Sequence, residues 1–385
     1  MRNYRKALLL SIVLYLAARP VSAQTNDPKI AYVVDSIPIM EDPDPEDSLA
    51  TGEISDMTIV RNKDSLQRLG YSRFDMVSFI FTRAYRARPD SLKAIPSTKQ
   101  MVRKNGVLYF HEIPYSGRFI DYFLKGSIAG EGRLAEGRGD GLVIRYYPNG
   151  QKQLERNYRN GSTEGVDREF YPDGRLSQEG AWVAGKEEGV WRKYFPNGQV
   201  KMQSTYQRGE LVDSAFSWYS TGRVSTRVAI RNGKVVADAR QTRIDQLMAK
   251  SSQSDKDLDI AAAIKYAGKA IELDSNYAPA YFSLGTLELN DLKFDAAIAD
   301  LDKALTIEPY MEFALANRAF ARIRKYQFRG SRTLSKNKDV TVLASKDKVD
   351  IPAAEKAMIC SDLSKAIYLG DKNEMILEAW RDYCQ

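Results

Sequence analysis

Apolar and polar positions in the middle of the chain follow a pattern that recurs every 24 residues. In each repeat, two aromatic residues begin a turn sequence, often Pro-Asn-Gly, that ends at residue 126, 150, 174, 198 or 222. A second glycine follows eleven residues after the first. Two turns in each repeat leave room for two strands of roughly seven or eight residues. The pattern therefore predicts five β-hairpins, about ten antiparallel strands, with aromatic side chains as a shared spine.

The turn sequences explain why the chain would reverse at these points. Proline presets φ, Asn and Asp tolerate turn conformations, and glycine takes the positions with positive φ. A single hairpin is marginally stable in water, so we expect each hairpin to depend on its neighbours. The recurrent glycines and aromatic residues are therefore interpreted as mainly structural, and the variable positions between them as the source of specificity.

The aromatic-Pro-Asn/Asp-Gly pattern, with a lead-in at Gly106 and Gly117, resembles the MORN-repeat variant over about residues 104–235. The resemblance implies a scaffold, a protein-binding surface or a lipid-binding surface. One repeat position alternates in charge. Because equivalent positions lie two strands apart, we interpret it as a solvated mixed-charge face rather than a ladder of ion pairs. Its residues are Asp121, Arg145, Glu169 and Lys193.

The spacing changes to that of helices in the last third of the chain. Small and apolar residues fall at fixed positions of a 34-residue unit, namely Tyr281, Leu284, Gly285, Ala297, Leu301, Ala304 and Pro309. This spacing resembles the tetratricopeptide (TPR) repeat, in which glycine and alanine let two antiparallel helices pack closely. Residues 259–273 resemble the second helix of a preceding unit and 313–327 the first helix of a following one. A Lys- and Ser-rich insertion at about 329–350 is predicted to be a mobile loop, followed by helices at about 351–369 and 374–383.

The TPR resemblance implies binding of peptides or partner proteins on the face lined by the first helices. Carried over by position, the candidate partner-binding residues are Phe282, Thr286, Asn290, Phe320 and Arg324. The alternative is that Phe282 and Phe320 pack inside the repeats.

Two cysteines, Cys360 and Cys384, fall on the last two predicted helices, on either side of a turn at Gly370. A disulfide between them requires Cα atoms within about 7 Å of each other. The sequence leaves both the bridged and the unbridged state open.

Residues 29–100 have a different pattern, which predicts a small α/β domain. Strand-like runs occur at 32–39, 54–60 and 76–82, with an acidic loop at 41–47 and a short helix at 64–69. This order resembles part of the plug domain of TonB-dependent receptors, although Ser36 replaces the usual glycine and Gly70-Tyr71 inverts the usual order. The remaining chain is too short for a receptor barrel. A plug-like interaction domain and an unrelated α+β domain both stay open.

Residues 1–23 combine a basic start, a short apolar run and small residues before position 24. This is typical of a secretory signal peptide, so we expect export to the periplasm, the outer membrane or the cell surface. The four basic residues of this segment, with no acid among them, account for the fall in formal charge from +7 to +3 on cleavage. Such a modest charge does not indicate a nucleic-acid partner.

Candidate catalytic chemistry is sparse. The chain has one histidine, His111, beside Glu112, and its two cysteines lack metal-ligand spacing. No phosphate-binding loop, dinucleotide fingerprint or nucleophile elbow is present in the sequence. We therefore expect no enzyme, no cofactor and no metal site, although a hydrolase that uses two carboxylates is left open.

These patterns predict an α+β multidomain protein. Its parts are a plug-like α/β domain (29–100), an antiparallel hairpin array (101–238), a linker (239–258) and helical repeats (259–385). The leading hypothesis is a non-enzymatic scaffold that binds other proteins in a bacterial envelope. The alternative is binding to envelope lipid or polymer through the hairpin face, where residues 101–240 hold 22 basic against 16 acidic side chains. That excess permits weak attraction to anionic surfaces.

Overall fold

The computed structural model describes residues 28–39, 47–231, 234–329, 333–336, 341–343 and 349–385. The chain divides into two compact units. The first unit is Met1–Gly174 with Trp182–Lys186, and the second is Arg175–Ala181 with Glu187–Gln385. The fold is α+β and multidomain, as predicted. The predicted signal peptide and residues 41–46 of the acidic loop lie outside the described residues.

A small mixed sheet opens the first unit. Its strand order is β2-β1-β4-β3, with β1 parallel to β4 and the other pairs antiparallel. The elements are β1 (Ile30–Val34), β2 (Ile37–Ile39), β3 (Ile54–Val60), α1 (Lys63–Arg68), β4 (Met76–Thr82), α2 (Arg83–Ala87) and α3 (Asp90–Lys93), with 3₁₀ turns at Thr51–Glu53 and Thr98–Gln100. The predicted strands at 54–60 and 76–82 are confirmed with these bounds. The resemblance to a receptor plug stays a prediction.

The predicted strand at 32–39 is wrong in one respect, because the chain reverses within it. Asp35 and Ser36 both have positive φ, 51° and 69°, and they form the turn between β1 and β2. Small polar residues tolerate this left-handed conformation. The Asp35 carboxylate also accepts hydrogen bonds from the Thr82 backbone N–H at 2.8 Å and from the Thr82 hydroxyl at 2.7 Å. The turn is therefore tied to the end of β4.

The rest of the first unit is built from antiparallel strands. A three-stranded sheet, in the order β5-β6-β7, comes first. In the following strands, β9 pairs with β8, β10 and β11, and the order continues as β11-β12-β13. The strands are β5 (Val102–Lys104), β6 (Val107–Phe110), β7 (Ile113–Pro114), β8 (Gly117–Tyr122), β9 (Ile128–Ala135), β10 (Arg138–Gly139), β11 (Gly141–Tyr146), β12 (Lys152–Arg159) and β13 (Ser162–Phe170).

The hairpin pattern also fills the start of the second unit. Here the strand order is β15-β16-β18-β19-β20, and β17 pairs with β16. The strands that follow β13 in the chain are β14 (Leu176–Val183), β15 (Lys186–Tyr194), β16 (Val200–Gln207), β17 (Glu210–Leu211), β18 (Ala215–Trp218), β19 (Val224–Arg231) and β20 (Lys234–Ala237). β14 and β15 each contain residues of both units.

Successive repeats are joined by a recurring backbone hydrogen bond. The second-turn glycine of each repeat donates its N–H to a carbonyl 22 residues earlier, at 2.7–3.0 Å. The donor–acceptor pairs are Gly137–Tyr115, Gly161–Gly139, Gly185–Thr163 and Gly209–Glu187. These glycines have φ of 75–83°, and the residue before each also has positive φ, which is the geometry of a tight two-residue hairpin turn. The predicted turns are confirmed at these glycines, whereas Gly233 lies outside the described residues.

Seven helices follow in the described part of the second unit. They are α4 (Ala239–Lys256), α5 (Ile260–Leu273), α6 (Ala278–Asn290), α7 (Phe294–Ile307), α8 (Glu312–Gln327), α9 (Ala353–Tyr368) and α10 (Glu374–Cys384). Gly285 explains the close packing of α6 on α7, because a Cβ at this position would lie 2.6 Å from Leu301 Cγ and 3.0 Å from the Ala297 carbonyl oxygen. The predicted glycine–alanine contact of the TPR unit is therefore present. Among the described residues, none of the helices has the length and apolar character needed to cross a bilayer.

The predicted linker at 239–258 is wrong, because α4 occupies it. Ile244, Leu247 and Ser251 recur at helical spacing and are at most 4% exposed. The Ser251 hydroxyl donates to the Ala263 carbonyl on α5 at 2.8 Å. The many polar residues of α4 hid this narrow buried stripe from sequence reasoning. α4 and α5 therefore form a complete helical hairpin before the one recognised in the sequence.

The insertion between α8 and α9 contains regular structure where the structure describes it. β21 (Thr333–Lys336) and β22 (Thr341–Leu343) form a two-stranded antiparallel sheet. The rest of residues 330–348 lies outside the described residues. The prediction of a simple loop is thus incorrect for β21 and β22.

Candidate functional site

A groove of about 480 Å³ lies within the second unit, between the hairpin strands and the helices. Three sets of side chains line it. The sheet side is Lys193, Lys201, Met202, Ser217, Trp218 and Ser225; the helical side is Ala278, Pro279, Phe282, Met311, Glu312 and Phe313; and the junction is Phe195, Tyr219, Glu308 and Tyr310. Six of these residues are aromatic, so the groove is suited to an apolar ligand group.

The sheet side is a row across four neighbouring strands. Lys193 pairs with Met202, and Met202 pairs with Ser217 on the next strand. The hydroxyls of Ser217 and Ser225 lie 2.8 Å apart and share a hydrogen bond. Since neighbouring strands lie about 4.8 Å apart, the row is about 14 Å long. This length matches a short extended segment of about four residues.

The junction is where the turns of two hairpins touch the helical repeats. Phe195 and Tyr219 each begin a Gly-ended turn, and the turn glycine donates its N–H back to their carbonyls at 2.8 Å. The Phe195 ring stacks on Tyr310 with centroids 5.8 Å apart. Phe195 and Tyr219 are 2% and 6% exposed. Burial raises the pKa of the Tyr219 hydroxyl, so this group stays neutral.

Polar contacts bring the 24-residue period of the hairpins into register with the 34-residue period of the helices. The Ser220 N–H donates to Glu308 Oε2 at 2.8 Å. Arg223 Nη2 donates to the Asn276 carbonyl at 2.6 Å and lies near Asp274. Asp274 and Glu308 occupy the same position of two successive helical units. One hairpin turn therefore fits against two equivalent helix connections, and the sheet and helical sides are held together.

The helical side is formed by the first turns of α6 and α8. Proline lies in the first turn of α6, where its missing N–H costs no hydrogen bond. Phe282 follows one turn later. On α8, Phe313 is 60% exposed although it is a large apolar residue. An exposed aromatic beside an apolar groove marks a surface suited to a partner.

The groove carries unequal charge on its two sides. Both carboxylate oxygens of Glu308 are occupied, since Oε1 accepts the Tyr310 N–H at 3.0 Å and Oε2 accepts the Ser220 N–H. On the sheet side Lys193 and Lys201 are exposed, and Lys201 Nζ lies 5.6 Å from the centroid of the Phe195 ring. Glu312 is the acidic residue of the helical side.

Only one of the five predicted partner-binding residues lines this groove. Phe282 does so. Thr286 is engaged between helices, where its hydroxyl donates to the Phe282 carbonyl at 2.8 Å and accepts from Asn317 at 2.9 Å. Asn290 is exposed at the end of α6, eight residues and about 12 Å along the helix from Phe282. These positions are thus spread along one helix.

The other two predicted residues lie on α8, away from the groove lining. Phe320 packs against two hydrophobic clusters, one of them formed by Leu289, Ala297 and Ala321. Arg324 is half-buried in the last turn of α8. The packing of Phe320 agrees with the alternative reading of that residue as part of the core. A partner-binding role for these residues stays a prediction.

Cys360 and Cys384 form a disulfide between α9 and α10, with Cα atoms 5.5 Å apart. Ile376 and Ala379 of α10 are buried in the same hydrophobic cluster as Ile359 and Leu363 of α9. The bridge therefore fastens the last helix onto an apolar surface that it already covers.

Most of the groove was not foreseen as a site. The aromatic residues Phe195 and Tyr219 were recognised from their repeat positions but interpreted as structural. Their meeting with Tyr310 joins segments more than 80 residues apart in the chain, which no local pattern reveals. The one available signal was Phe313, an apolar residue at a position that the helical pattern leaves exposed.

No chemistry of catalysis is assembled among the described residues. They contain no group of three or more His, Cys, Asp or Glu side chains that could hold a metal ion. His111 lies in a tight turn with φ of 50°, next to Glu112 with φ of 64°. Its ring centroid lies 4.2 Å from that of Phe110. The arrangement at His111 is that of a strand-connecting turn.

The hairpins have relatives in sequence. Residues 139–160 and 187–208 match the family described as MORN repeat variant. The two matches begin 48 residues apart, which is two periods of the array. A comparison with curated proteins gives no match.

Solved structures similar to the C-terminal helices are TPR domains. The Arabidopsis OM64 TPR domain is 16% identical, with 38% of this chain and 98% of that chain covered and a TM-score of 0.29. The TPR2B domain of yeast Sti1, in a complex with an Hsp70 peptide, is 16% identical, with 37% and 96% covered and a TM-score of 0.28. The second TPR domain of human RPAP3, in complex with an HSP70 peptide, is 14% identical, with 38% and 99% covered and a TM-score of 0.29.

The MORN and TPR-like repeats fit a protein–protein interaction scaffold. The comparisons indicate no catalytic family.

Proposed function

We propose that the protein is an exported, non-enzymatic scaffold of a bacterial envelope that holds an apolar segment of a partner protein in the groove. The observation that carries this proposal is the aromatic lining together with Phe313, whose ring is largely exposed at the groove. Exposed aromatic residues are the side chains that contribute most to protein interfaces. The fixed junction supports the same view, because a preformed groove does not have to be ordered on binding.

Export is supported by two features of the chain. Residues 1–23 have the pattern of a signal peptide, and Cys360 and Cys384 form a disulfide, which persists in oxidising compartments. Expression with and without residues 1–23, followed by cell fractionation, tests this part. Full-length protein in the periplasm or outer membrane is expected. Equal cytoplasmic retention of both forms would contradict export.

Peptide selection tests the groove. A displayed library of random peptides is selected on the purified chain, and the best binders are measured by calorimetry. Phe313→Ser is expected to weaken binding by about fivefold or more, since loss of an exposed aromatic contact costs about 1 kcal/mol. Met375→Ser is the matched control, because Met375 is also the second residue of its helix after a glutamate, is 56% exposed and does not line the groove.

Failure to select any peptide would contradict the proposed function. So would peptides that lose affinity equally in the Phe313 and Met375 variants, because the groove would then not be their binding site.

A second candidate is binding of envelope lipid through the hairpin face of the first unit. Leu142 and Val166 occupy the same position of successive repeats and are 46% and 47% exposed. Sedimentation with anionic vesicles tests it. Binding that a Leu142→Ser/Val166→Ser double variant abolishes is expected under this alternative, whereas no binding by the unaltered chain would exclude it.

A further inference from the structure

The two sides of the groove present charges of opposite sign to a ligand. Lys193 and Lys201 are exposed on the sheet side, at adjacent strands of the row. Glu312 lies on the helical side, in the first turn of α8. Among the described residues, no ion pair joins either lysine to Glu312 or to another carboxylate. These charges are therefore not neutralised across the groove.

The remaining acid of the lining does not alter this balance. Glu308 is 7% exposed, and each of its oxygens accepts a backbone N–H. Its hydrogen bonds hold the junction rather than facing a ligand. Between the lysines and Glu312 the lining is apolar, with Met202, Phe282 and Met311 among its side chains.

We propose that the groove selects a mixed-charge segment of the partner, in which an apolar anchor is flanked by one acidic and one basic residue. The inference rests on the proposed function and adds the chemistry of its ligand. The acidic side chain lies toward Lys193 and Lys201, the basic side chain lies toward Glu312, and the apolar anchor fills the aromatic space between them. In an extended segment, successive side chains point to opposite sides, so neighbouring residues reach the two sides of the groove.

Charge complementarity of this kind contributes modestly to affinity and strongly to choice of partner. An exposed ion pair changes affinity by between about 1.5-fold and fivefold. Two such pairs give a preference of roughly threefold to tenfold over an uncharged segment. The preference falls at high ionic strength, because the lysines are exposed to solvent.

Synthetic peptides with one common apolar centre test the proposal. Their flanks are mixed, all acidic, all basic or uncharged, and a further mixed peptide has serine in place of the apolar residues. Fluorescence anisotropy measures their binding to the purified full chain. The mixed peptide is expected to bind roughly threefold to tenfold more tightly than the uncharged one, and the serine peptide is expected not to bind.

Protein variants assign the preference to its residues. Lys193→Glu/Lys201→Glu is expected to remove the gain from the acidic flank, and Glu312→Gln the gain from the basic flank. Lys186→Glu is the matched control, because Lys186 is an exposed lysine of the same strand that does not line the groove. Circular dichroism checks that each variant is folded.

The outcomes separate this proposal from the one on which it rests. Equal binding of the mixed and uncharged peptides, or no effect of either groove variant, overturns the charge preference but leaves the groove as a peptide site. No binding of any peptide with the apolar centre overturns both. Salt-sensitive binding to phosphatidylglycerol vesicles that is lost in the double lysine variant, without peptide binding, would identify a lipid surface as the occupant instead.

Discussion

Two helical glycines with different surroundings offer a direct test of how the helical repeats are packed. Gly268 in α5 would place an added Cβ in open space, with no heavy atom within 4 Å. Gly285 in α6 would place it 2.6 Å from Leu301 Cγ and 3.0 Å from the Ala297 carbonyl oxygen. Leu301 is fully buried and the carbonyl belongs to the backbone, so neither can move away cheaply.

The two Gly→Ala substitutions are therefore expected to change stability in opposite directions. Alanine is favoured over glycine inside a helix by about 1 kcal/mol, so Gly268→Ala stabilises the protein by about that amount. At Gly285 the same gain is offset by overpacking, which costs about 1–3 kcal/mol. Gly285→Ala is accordingly neutral to destabilising by up to about 2 kcal/mol. The two variants differ by about 1–3 kcal/mol.

Urea unfolding followed by far-UV circular dichroism measures this difference, provided that the slope of the transition stays the same in both variants. Leu301→Ala supplies a further check, because it removes the atoms that the new Cβ would meet. The Gly285→Ala substitution should then cost less in the Leu301→Ala background than in the unaltered chain. If Gly285→Ala is as stable as Gly268→Ala, the close contact between α6 and α7 is not present as described.

Three further predictions concern other parts of the chain. Burial beside the Asp300 carboxylate raises the pKa of Glu288 to about 7, above its ordinary value of 4.5, so its contribution to stability is complete below pH 4.5 and is lost as the pH rises through 7. Thermal melts should show this loss, and Glu288→Gln should flatten it; an unchanged pH profile in the variant would contradict it. The disulfide closes a loop with a sequence separation of 24, so Cys360→Ser/Cys384→Ser should cost about 3 kcal/mol in urea unfolding, with no further loss on adding reductant. Ala184 has φ of 50°, which is strained for alanine, so Ala184→Asn should raise stability by about 0.5–1 kcal/mol; a decrease would contradict the turn geometry.

The features that the sequence predicted well are those fixed by local chemistry. The turn at Asn160-Gly161 follows from residues that accept positive φ, and β3 and β4 follow from β-branched and aromatic runs bounded by polar residues. The hairpin of α6 and α7 follows from the spacing of small residues. In each case the determining residues lie within about one turn or one strand of each other.

The features that it missed depend on contacts between distant segments. α4 has only a narrow buried stripe, and its helical character is stabilised by packing on α5, which a polar sequence does not show. The groove requires the hairpin turn at Phe195 to meet the helix connection at Tyr310. Thr286 had the expected position, but its hydrogen bond with Asn317 depends on the next helical unit. Candidate residues transferred one by one could not reveal which of them face the same space.

The central claim is that the groove itself receives the partner segment, and photo-crosslinking tests this most directly. A selected peptide with a photoreactive group at its apolar anchor is bound to the purified chain, irradiated and mapped by mass spectrometry. The account predicts crosslinks to the helical side of the groove, at Phe282, Met311 or Phe313. Crosslinks confined to exposed apolar residues elsewhere, such as Leu142 or Met375, would contradict it.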